Sequence, residues 1–197
     1  MLSEFRIYVE LGFRHIADFA GYDHILFVAA LAIPFGIRDW RQLAVLVTAF
    51  TVGHSLTLAL ATLRLVSVPS QLVETLIPAT ILYTALDAYL AATPQRPDNA
   101  VTIKRYGVAL LFGLVHGLGF STYLRALLGS EESITLPLLA FNVGLELGQL
   151  VILSIVLAVG ALVVPAILQR RRWVQLLVGV TGGLALMLLI QRLGAWS

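Results

Sequence analysis

The feature that most constrains this chain is the stretch of residues 134–168, which is almost wholly apolar and has Glu146 as its single charged side chain. In lipid every backbone N–H and C=O must find a partner, which leaves helices and closed barrels as the possible structures. Barrel strands alternate apolar and polar residues, whereas the apolar runs here are continuous. In composition, 59% of the residues are hydrophobic and 12% are charged, against about half and a quarter in soluble domains. The sequence therefore predicts an all-α membrane protein.

The apolar runs indicate a polytopic transmembrane helix bundle that forms a single domain over residues 1–197. Residues 1–20 place apolar side chains every three to four positions between charges, which predicts an amphipathic helix that lies on the membrane surface and does not span. About six spans follow, and the first is short for a bilayer core of roughly 30 Å. The predicted spans lie near residues 22–36, 42–63, 71–92, 106–128, 134–168 and 174–193.

Charges and cysteines predict an orientation and exclude several classes of protein. The loops after odd spans hold eight Lys and Arg residues and the opposite side holds five, so we expect cytoplasmic odd loops and both termini outside. The net charge is +2 and no basic cluster has interleaved aromatics, so nucleic-acid binding has no support. Zero cysteines exclude disulfides and thiolate metal sites. No positive segment precedes an apolar one at the start, so we expect no cleavable signal peptide.

Ionisable side chains inside the predicted spans are the candidates for function. His54 lies in an otherwise apolar span, and an ionisable group at membrane depth needs a partner, a water-filled cavity or a metal ion. Counting about 1.5 Å per residue along each helix places it in the same outer half of the membrane as four other polar residues. We therefore predict a metal site built from Asp23, His24, His54, His116 and Glu146.

Further polar residues surround this predicted site. Asn142, Glu146 and Gln149 recur at i, i+4 and i+7 and so share one helix face, while Thr51 and Ser55 adjoin His54 on another span. Imidazole and carboxylate groups without thiolates suit nickel, cobalt or zinc, whereas magnesium and calcium prefer oxygen ligands only. The residues expected to support the ligands or to stand on the approach to them are His15, Asp18, Thr51, Ser55, Asn142 and Gln149.

Each predicted ligand also has a structural explanation, and the residues alone leave both open. His54 and His116 can be buried histidines that bond a helix hydroxyl or carbonyl. Asp23 can be a helix N-cap. Glu146 can be neutral and bonded to a neighbouring polar side chain. The case for a site therefore depends on the convergence of these residues, because each one taken singly is weak.

Three further features are expected to be structural. Glu74 is expected at the outer interface or as a helix cap. His15 and Asp18, three residues apart, are expected to form a surface pair, with an external loading site as the alternative. The spacing of Gly113 and Gly117 around His116 predicts close approach of a neighbouring helix.

Several blocks of this sequence resemble the HupE/UreJ family of small membrane proteins, which are usually described as nickel or cobalt permeases. The resemblance covers most of the chain, and it implies that His15, Asp23, His24 and His54 handle the metal. It also implies an integral membrane protein of the bacterial inner membrane. The matching blocks are Gly12-Phe-Arg-His-Ile16, Gly21-Tyr-Asp-His-Ile-Leu-Phe27, Thr48-Ala-Phe-Thr-Val-Gly-His-Ser-Leu-Thr-Leu58, Val73-Glu74, Phe112-Gly-Leu-Val-His-Gly-Leu-Gly-Phe120 and Phe141-Asn-Val-Gly-Leu-Glu-Leu-Gly-Gln149.

Two functional classes fit these residues. The first is a secondary permease that takes a divalent ion, nickel or cobalt before zinc, from outside through the histidine and acid cluster; the chain has no nucleotide-binding motif with which to hydrolyse ATP. The second is a membrane-embedded zinc hydrolase that uses the same cluster with Ser55 or Glu146. A metal-loaded sensor is a third class. The lipid bilayer and the metal ion are the expected partners, and a homo-oligomer is left open.

Overall fold

A computed structural model of the chain describes residues 2–92, 103–128 and 134–196. Within these ranges it contains the helices α1 (Leu2–Ile16), α2 (Asp23–Ala32), α3 (Trp40–Thr62), α4 (Ser70–Ala91), α5 (Ile103–Leu128), α6 (Thr135–Ala166) and α7 (Arg170–Gly194). The described residues include no strand, so the all-α prediction is confirmed. Four of the helices, α3, α5, α6 and α7, are long and apolar enough to cross a membrane. The ends of α3 to α7 differ from the predicted spans by at most four residues.

Helices α3 and α5 pack with their backbones in contact. Gly113 faces the carbonyl of Phe50, and Gly117, one turn further, faces the carbonyl of His54. Both approaches are so close that a methyl group on either glycine would overlap the facing oxygen. Since the contacts advance together along both helices, α3 and α5 run in the same direction. The glycine spacing around His116 thus allows the close helix approach that was predicted.

Helices α1 and α6 form a second pair of this kind. Gly144 faces the carbonyl of Val9, while Gly148, one turn further, has Ile16 only 3.2 Å from where its own Cβ would be. A methyl group at Gly12 would overlap the Phe141 carbonyl. The structure does not confirm that α1 lies flat on the membrane surface: α1 runs alongside the first half of α6, in the same direction. Its apolar stripe is buried against protein instead of headgroups.

Helix α2 continues along the second half of α6. It has ten residues and is about 15 Å long, half of what a bilayer core of roughly 30 Å requires. Ala32 at its end lines a cavity together with Leu157 and Gly160 of α6. Helix α1, the break at residues 17–22 and α2 therefore follow one another beside α6 as a discontinuous helix. The predicted first span, 22–36, is the second half of this unit.

Helices α4 and α7 run in opposite directions and close the other side of α2. Gly182 of α7 packs against Ala85 of α4. At the start of α4, Glu74 forms an ion pair of 2.7 Å with Arg192, near the end of α7. At the opposite end, the guanidinium of Arg170 donates to two carbonyls that follow α2. These contacts tie α7 to both ends of the bundle.

Candidate metal centre

Four histidines from four helices converge in the core of the bundle. The His24 ring is at the centre, with its centroid 4.7 Å from that of His15, 5.7 Å from His54 and 5.1 Å from His116. Three of these side chains are almost fully enclosed, since His24 is 3% exposed, His54 0% and His116 1%. The convergence predicted by counting along the helices is present for His24, His54 and His116, and His15 joins them.

The break between α1 and α2 explains how two of the histidines reach this place. His15 lies in the last turn of α1, and Asp23 with His24 opens the first turn of α2. Because the two helices meet beside α6, both sides of the break face the same point. The backbone contact between α3 and α5 then sets the position of His54 against that of His116.

The side chains form two overlapping groups with the composition of a cation site. One group is His15, His24 and His54, and the other is Asp23, His24 and His116; within each, the three potential ligand atoms lie within 4.8 Å of one another. His24 belongs to both groups. Ligands at about 2.1 Å from a tetrahedral ion are roughly 3.4 Å apart, and one pair of the second group, His24 Nδ1 and Asp23 Oδ1, already lies 3.3 Å apart.

Most of the ring nitrogens in this cluster have no hydrogen-bond partner in the part of the chain that the structure describes. The buried nitrogens without one are His15 Nε2, His24 Nε2, His54 Nδ1 and Nε2, and His116 Nδ1. His24 Nδ1 forms no hydrogen bond of good geometry, but it has the Asp23 carboxylate 3.3 Å away. A buried polar atom left unpaired costs about 1–3 kcal/mol. A structural histidine would bond a hydroxyl or a carbonyl, and His54 does so with neither nitrogen. This donor set therefore fits a bound cation better than a purely structural role.

His116 has a hydrogen-bond partner on another helix. Its Nε2 lies 2.9 Å from Thr80 Oγ1, and the Thr80 hydroxyl donates to the carbonyl of Ile77 at 2.7 Å. Because the hydroxyl has a single hydrogen, Nε2 must carry the ring proton and donate to Thr80. The unprotonated Nδ1 of His116 is then the atom free to bind a cation. A hydrogen bond that orients a ligating imidazole in this way is common in metal sites.

Asp23 is not the N-cap of α2, which is Tyr22, but its carboxylate contacts both the backbone and the side chain of His24. Its Oδ1 accepts a hydrogen bond of 3.1 Å from the backbone N–H of His24 at the start of α2. The same oxygen lies 3.3 Å from His24 Nδ1, and 26% of the Asp23 side chain is exposed. A carboxylate in contact with an imidazole orients the ring and raises its basicity as a ligand. Asp23 is thus the first residue of α2, after the N-cap Tyr22, and it contacts a histidine of the cluster while part of its side chain remains exposed.

Glu146 and Gln149 are placed apart from both groups. Glu146 accepts a hydrogen bond from Thr48 at 2.5 Å, and Gln149 accepts one from Thr51 at 2.6 Å. These two bonds link α6 to α3 on neighbouring turns. Glu146 was predicted as a ligand, but this contact matches the alternative in which it bonds a nearby hydroxyl.

The remaining predicted residues have mostly local contacts. The Ser55 hydroxyl donates to the Thr51 carbonyl at 2.6 Å. Asp18 is not paired on the surface with His15: its Oδ1 accepts from the N–H of Ala20 at 2.8 Å, while the His15 ring packs at 4.7 Å from that of His24. The Oδ1 atom of Asn142 is buried without a partner among the described residues.

Aromatic rings border the histidines on two sides. On one side, Phe27 and Phe50 pack with centroids 4.5 Å apart, and Phe112 lies 6.2 Å from Phe27. On the other, Phe120 and Phe141 stack at 5.2 Å, with Phe120 4.0 Å from the His15 ring. The polar cluster is therefore enclosed in an apolar surround that excludes water from most of its perimeter.

A family model described as HupE / UreJ protein matches residues 1–192, nearly the whole chain. The chain belongs to the HupE/UreJ family. With its long apolar helices, this membership makes it an integral membrane protein related to metal transport. No curated protein and no solved structure matches the chain. The resemblance seen in the sequence is thereby confirmed at the level of the family.

Sequence reasoning did not predict two parts of this HupE/UreJ site: it did not single out Thr80, and it made no use of the phenylalanines. For His15 it left a surface pair and a role at the site both open. The phenylalanines could have been found from the sequence, since Phe27, Phe50 and Phe112 each lie three or four residues from a histidine, one helical turn away on the same face. Thr80 had no such signal, because its partner is on another helix.

Proposed function

We propose that this protein is a permease for a divalent transition-metal ion, with nickel or cobalt as the first candidates. The observation that supports this most strongly is the convergence of buried imidazole nitrogens that have no hydrogen-bond partner among the described residues. A set of imidazoles with one carboxylate and no thiolate suits nickel, cobalt or zinc. Nickel and cobalt are named before zinc because of the family, and the geometry of the site does not distinguish these metals.

The proposal includes a path in which the two ligand groups act in sequence. Asp23, as the accessible member, meets the ion first in the group with His24 and His116. The ion then moves to the group with His15 and His54, and His24 remains a ligand throughout because it belongs to both groups. Imidazoles bind metal only when unprotonated, so loading the site competes with protons.

The proposed setting is the bacterial inner membrane, with both termini outside and six crossings. The first crossing is the discontinuous helix formed by α1 and α2, and α3 to α7 supply the other five. Sites near the middle of the membrane are often built at such breaks in secondary transporters, where the ends of half-helices meet the substrate. The positive-inside bias supports this orientation.

The zinc-hydrolase alternative finds no supporting observation. A hydrolase needs a nucleophile or a base beside the metal. Ser55 donates its hydroxyl to a backbone carbonyl, and the Glu146 carboxylate is bonded to Thr48 outside both ligand groups. The permease is therefore the function that we carry forward.

The test is metal uptake by purified protein in liposomes, together with metal analysis of the same preparation. Wild type should bind nickel or cobalt and accumulate it, and His54→Ala should lose both. Thr181→Ala is a matched control, because Thr181 is also buried in a transmembrane helix but its hydroxyl bonds the Leu177 carbonyl in α7. Wild-type protein that neither binds nor moves a metal would overturn the proposal. Binding without uptake would favour a sensor, or a hydrolase if turnover is found.

A further inference from the structure

A cavity of about 150 Å³ opens at the end of the bundle where α4 begins and α7 ends. Its walls come from the break before α2, from the first turns of α4 and from the last turns of α7. Six of the residues that line it are Gly21, Asp23, Glu74, Pro78, Leu188 and Arg192. Because Asp23 belongs to one of the ligand groups, the cavity leads from the end of the bundle to the histidine cluster.

The inner part of this cavity has a carboxylate in its wall and a second one close by. Asp23 is at its inner end, and Gly21 is flanked by two acids, with Asp18 Oδ2 3.6 Å and Asp23 Oδ1 3.9 Å from where its Cβ would be. Pro78 has no N–H, so the Glu74 carbonyl one turn earlier loses the donor that it would have in a regular helix. Oxygen donors therefore continue from the opening to the ligand group.

The opening carries an ion pair that balances this charge. Arg192 Nη1 lies 2.7 Å from Glu74 Oε2, and about half of each side chain is exposed. Two further bonds hold the end of α7 to α4 around this pair: Gln71 donates to the Ala195 carbonyl, and Trp196 donates to Thr75. The pair is thus held at the mouth of the cavity while both partners remain within reach of solvent.

We propose that this cavity is the vestibule through which the metal ion reaches Asp23, and that the Glu74–Arg192 pair is its electrostatic gate. A divalent ion attracts a carboxylate about twice as strongly as a guanidinium does at the same distance, so an arriving ion displaces Arg192 from Glu74. Displacement opens the mouth, and the ion then passes to the Asp23 carboxylate. This inference rests on the proposed permease function.

Cysteine labelling tests the vestibule, since the native chain has no cysteine. Leu188→Cys lies in the cavity wall, and Leu186→Cys on the same helix is the control because Leu186 is exposed on the outer face of the bundle. A membrane-impermeant thiol reagent applied from outside should modify position 188 and block nickel uptake, and nickel should slow the modification. Position 186 should show none of these effects. Modification at 188 without loss of uptake, or no modification at all, would overturn the vestibule.

Charge variants test the gate. Arg192→Gln should lower the nickel concentration for half-maximal uptake by about threefold, and Glu74→Gln should raise it by about threefold, the size of effect expected from a partly exposed ion pair. The double variant Glu74→Arg with Arg192→Glu should return towards wild type. Nickel binding by detergent-solubilised protein separates this test from that of the function. If wild type binds and transports nickel but the charge variants do not shift uptake, the gate is wrong; if wild type binds none, the permease itself fails.

Discussion

Two cavities formed by the described residues lie at opposite ends of the bundle and differ in size. The one at the Glu74 end has a volume of about 150 Å³ and reaches Asp23. The one at the Arg170 end is larger, at about 370 Å³, and is lined by α6, the segment that follows α2 and the start of α7, with Asp39 and Arg170 among mainly apolar residues. None of the residues that line it belongs to either ligand group. Both walls carry charged residues, so what distinguishes the smaller cavity is that its wall includes a residue of a ligand group, and volume is no guide to the approach that we propose.

What separates the histidine cluster from the larger cavity is a layer of aromatic side chains. Phe27 and Phe50 are 0% and 1% exposed, and their rings lie 5.2 Å and 5.1 Å from that of His116. Each is one helical turn from a histidine, on the side towards Arg170. The cavity at the Glu74 end therefore reaches Asp23, whereas the Phe27 and Phe50 rings cover the histidines towards the Arg170 end. In the proposed permease, release on that side would require the helices to move.

The largest effect should follow from changing the ligand common to both groups. His24→Ala removes one imidazole from each group, so we expect nickel affinity to fall by at least about 100-fold, the upper part of the range known for residues that only support a ligand. Equilibrium dialysis of purified protein measures this. Arg170→Gln, at the other end, is the comparison. If His24→Ala and Arg170→Gln lose the same nickel affinity, the two ends of the bundle do not differ in metal binding and the comparison fails.

Opening the aromatic layer should produce the next largest effect. Phe50→Ala removes a ring that packs on Phe27, so we expect the protein to lose about 3–5 kcal/mol of stability and to leak nickel out of preloaded liposomes faster than wild type. Phe112→Ala is a milder comparison, because that ring is farther from Phe27. Leakage that stays at the wild-type rate in a folded Phe50 variant would show that this layer is not the seal.

A smaller effect is expected from the hydrogen bond that orients His116. Thr80→Ala removes the acceptor for its Nε2–H, so nickel affinity should fall by about tenfold, while Thr80→Ser keeps the hydroxyl and should retain most of it. Calorimetric titration with nickel measures both. If the serine variant is as weak as the alanine variant, packing of the threonine methyl group, and not the hydrogen bond, supports the site.

The smallest effect on metal handling should come from the Arg170 end. Arg170→Gln loses the guanidinium that donates to the carbonyls of Ile33 and Phe35 at 3.1 and 2.7 Å, so we expect about 1.5–3 kcal/mol less stability. Nickel affinity should stay within about twofold of wild type, since no ligand is touched. Thermal unfolding in detergent and dialysis measure the two quantities. A large fall in affinity without unfolding would contradict the structural role.

How far the sequence predicted this molecule depends on whether a feature is local. The apolar run at 134–168 predicted a long helix, because in lipid the backbone N–H and C=O groups must form hydrogen bonds with one another. The observed helix ends as predicted, with Pro165 in its last turn. Depth along a helix follows from residue count, so the common level of His24, His54 and His116 was predictable. Residue types alone also indicated imidazole and carboxylate as the donors.

By itself, then, the sequence determined an all-helical membrane protein with ionisable groups at one depth. Only the tertiary structure decided which of them meet. An apolar stripe on α1 packs equally well on headgroups or on another helix. The glycines of α6 that let α1 pack closely, Gly144 and Gly148, are more than a hundred residues away along the chain. The packing of α1 on α6 makes α1 and α2 one discontinuous helix and brings the His15 ring next to that of His24. The orientation of α6 about its own axis places Glu146 within hydrogen-bond distance of Thr48. Pairing of distant surfaces depends on shape, which residue periodicity does not contain.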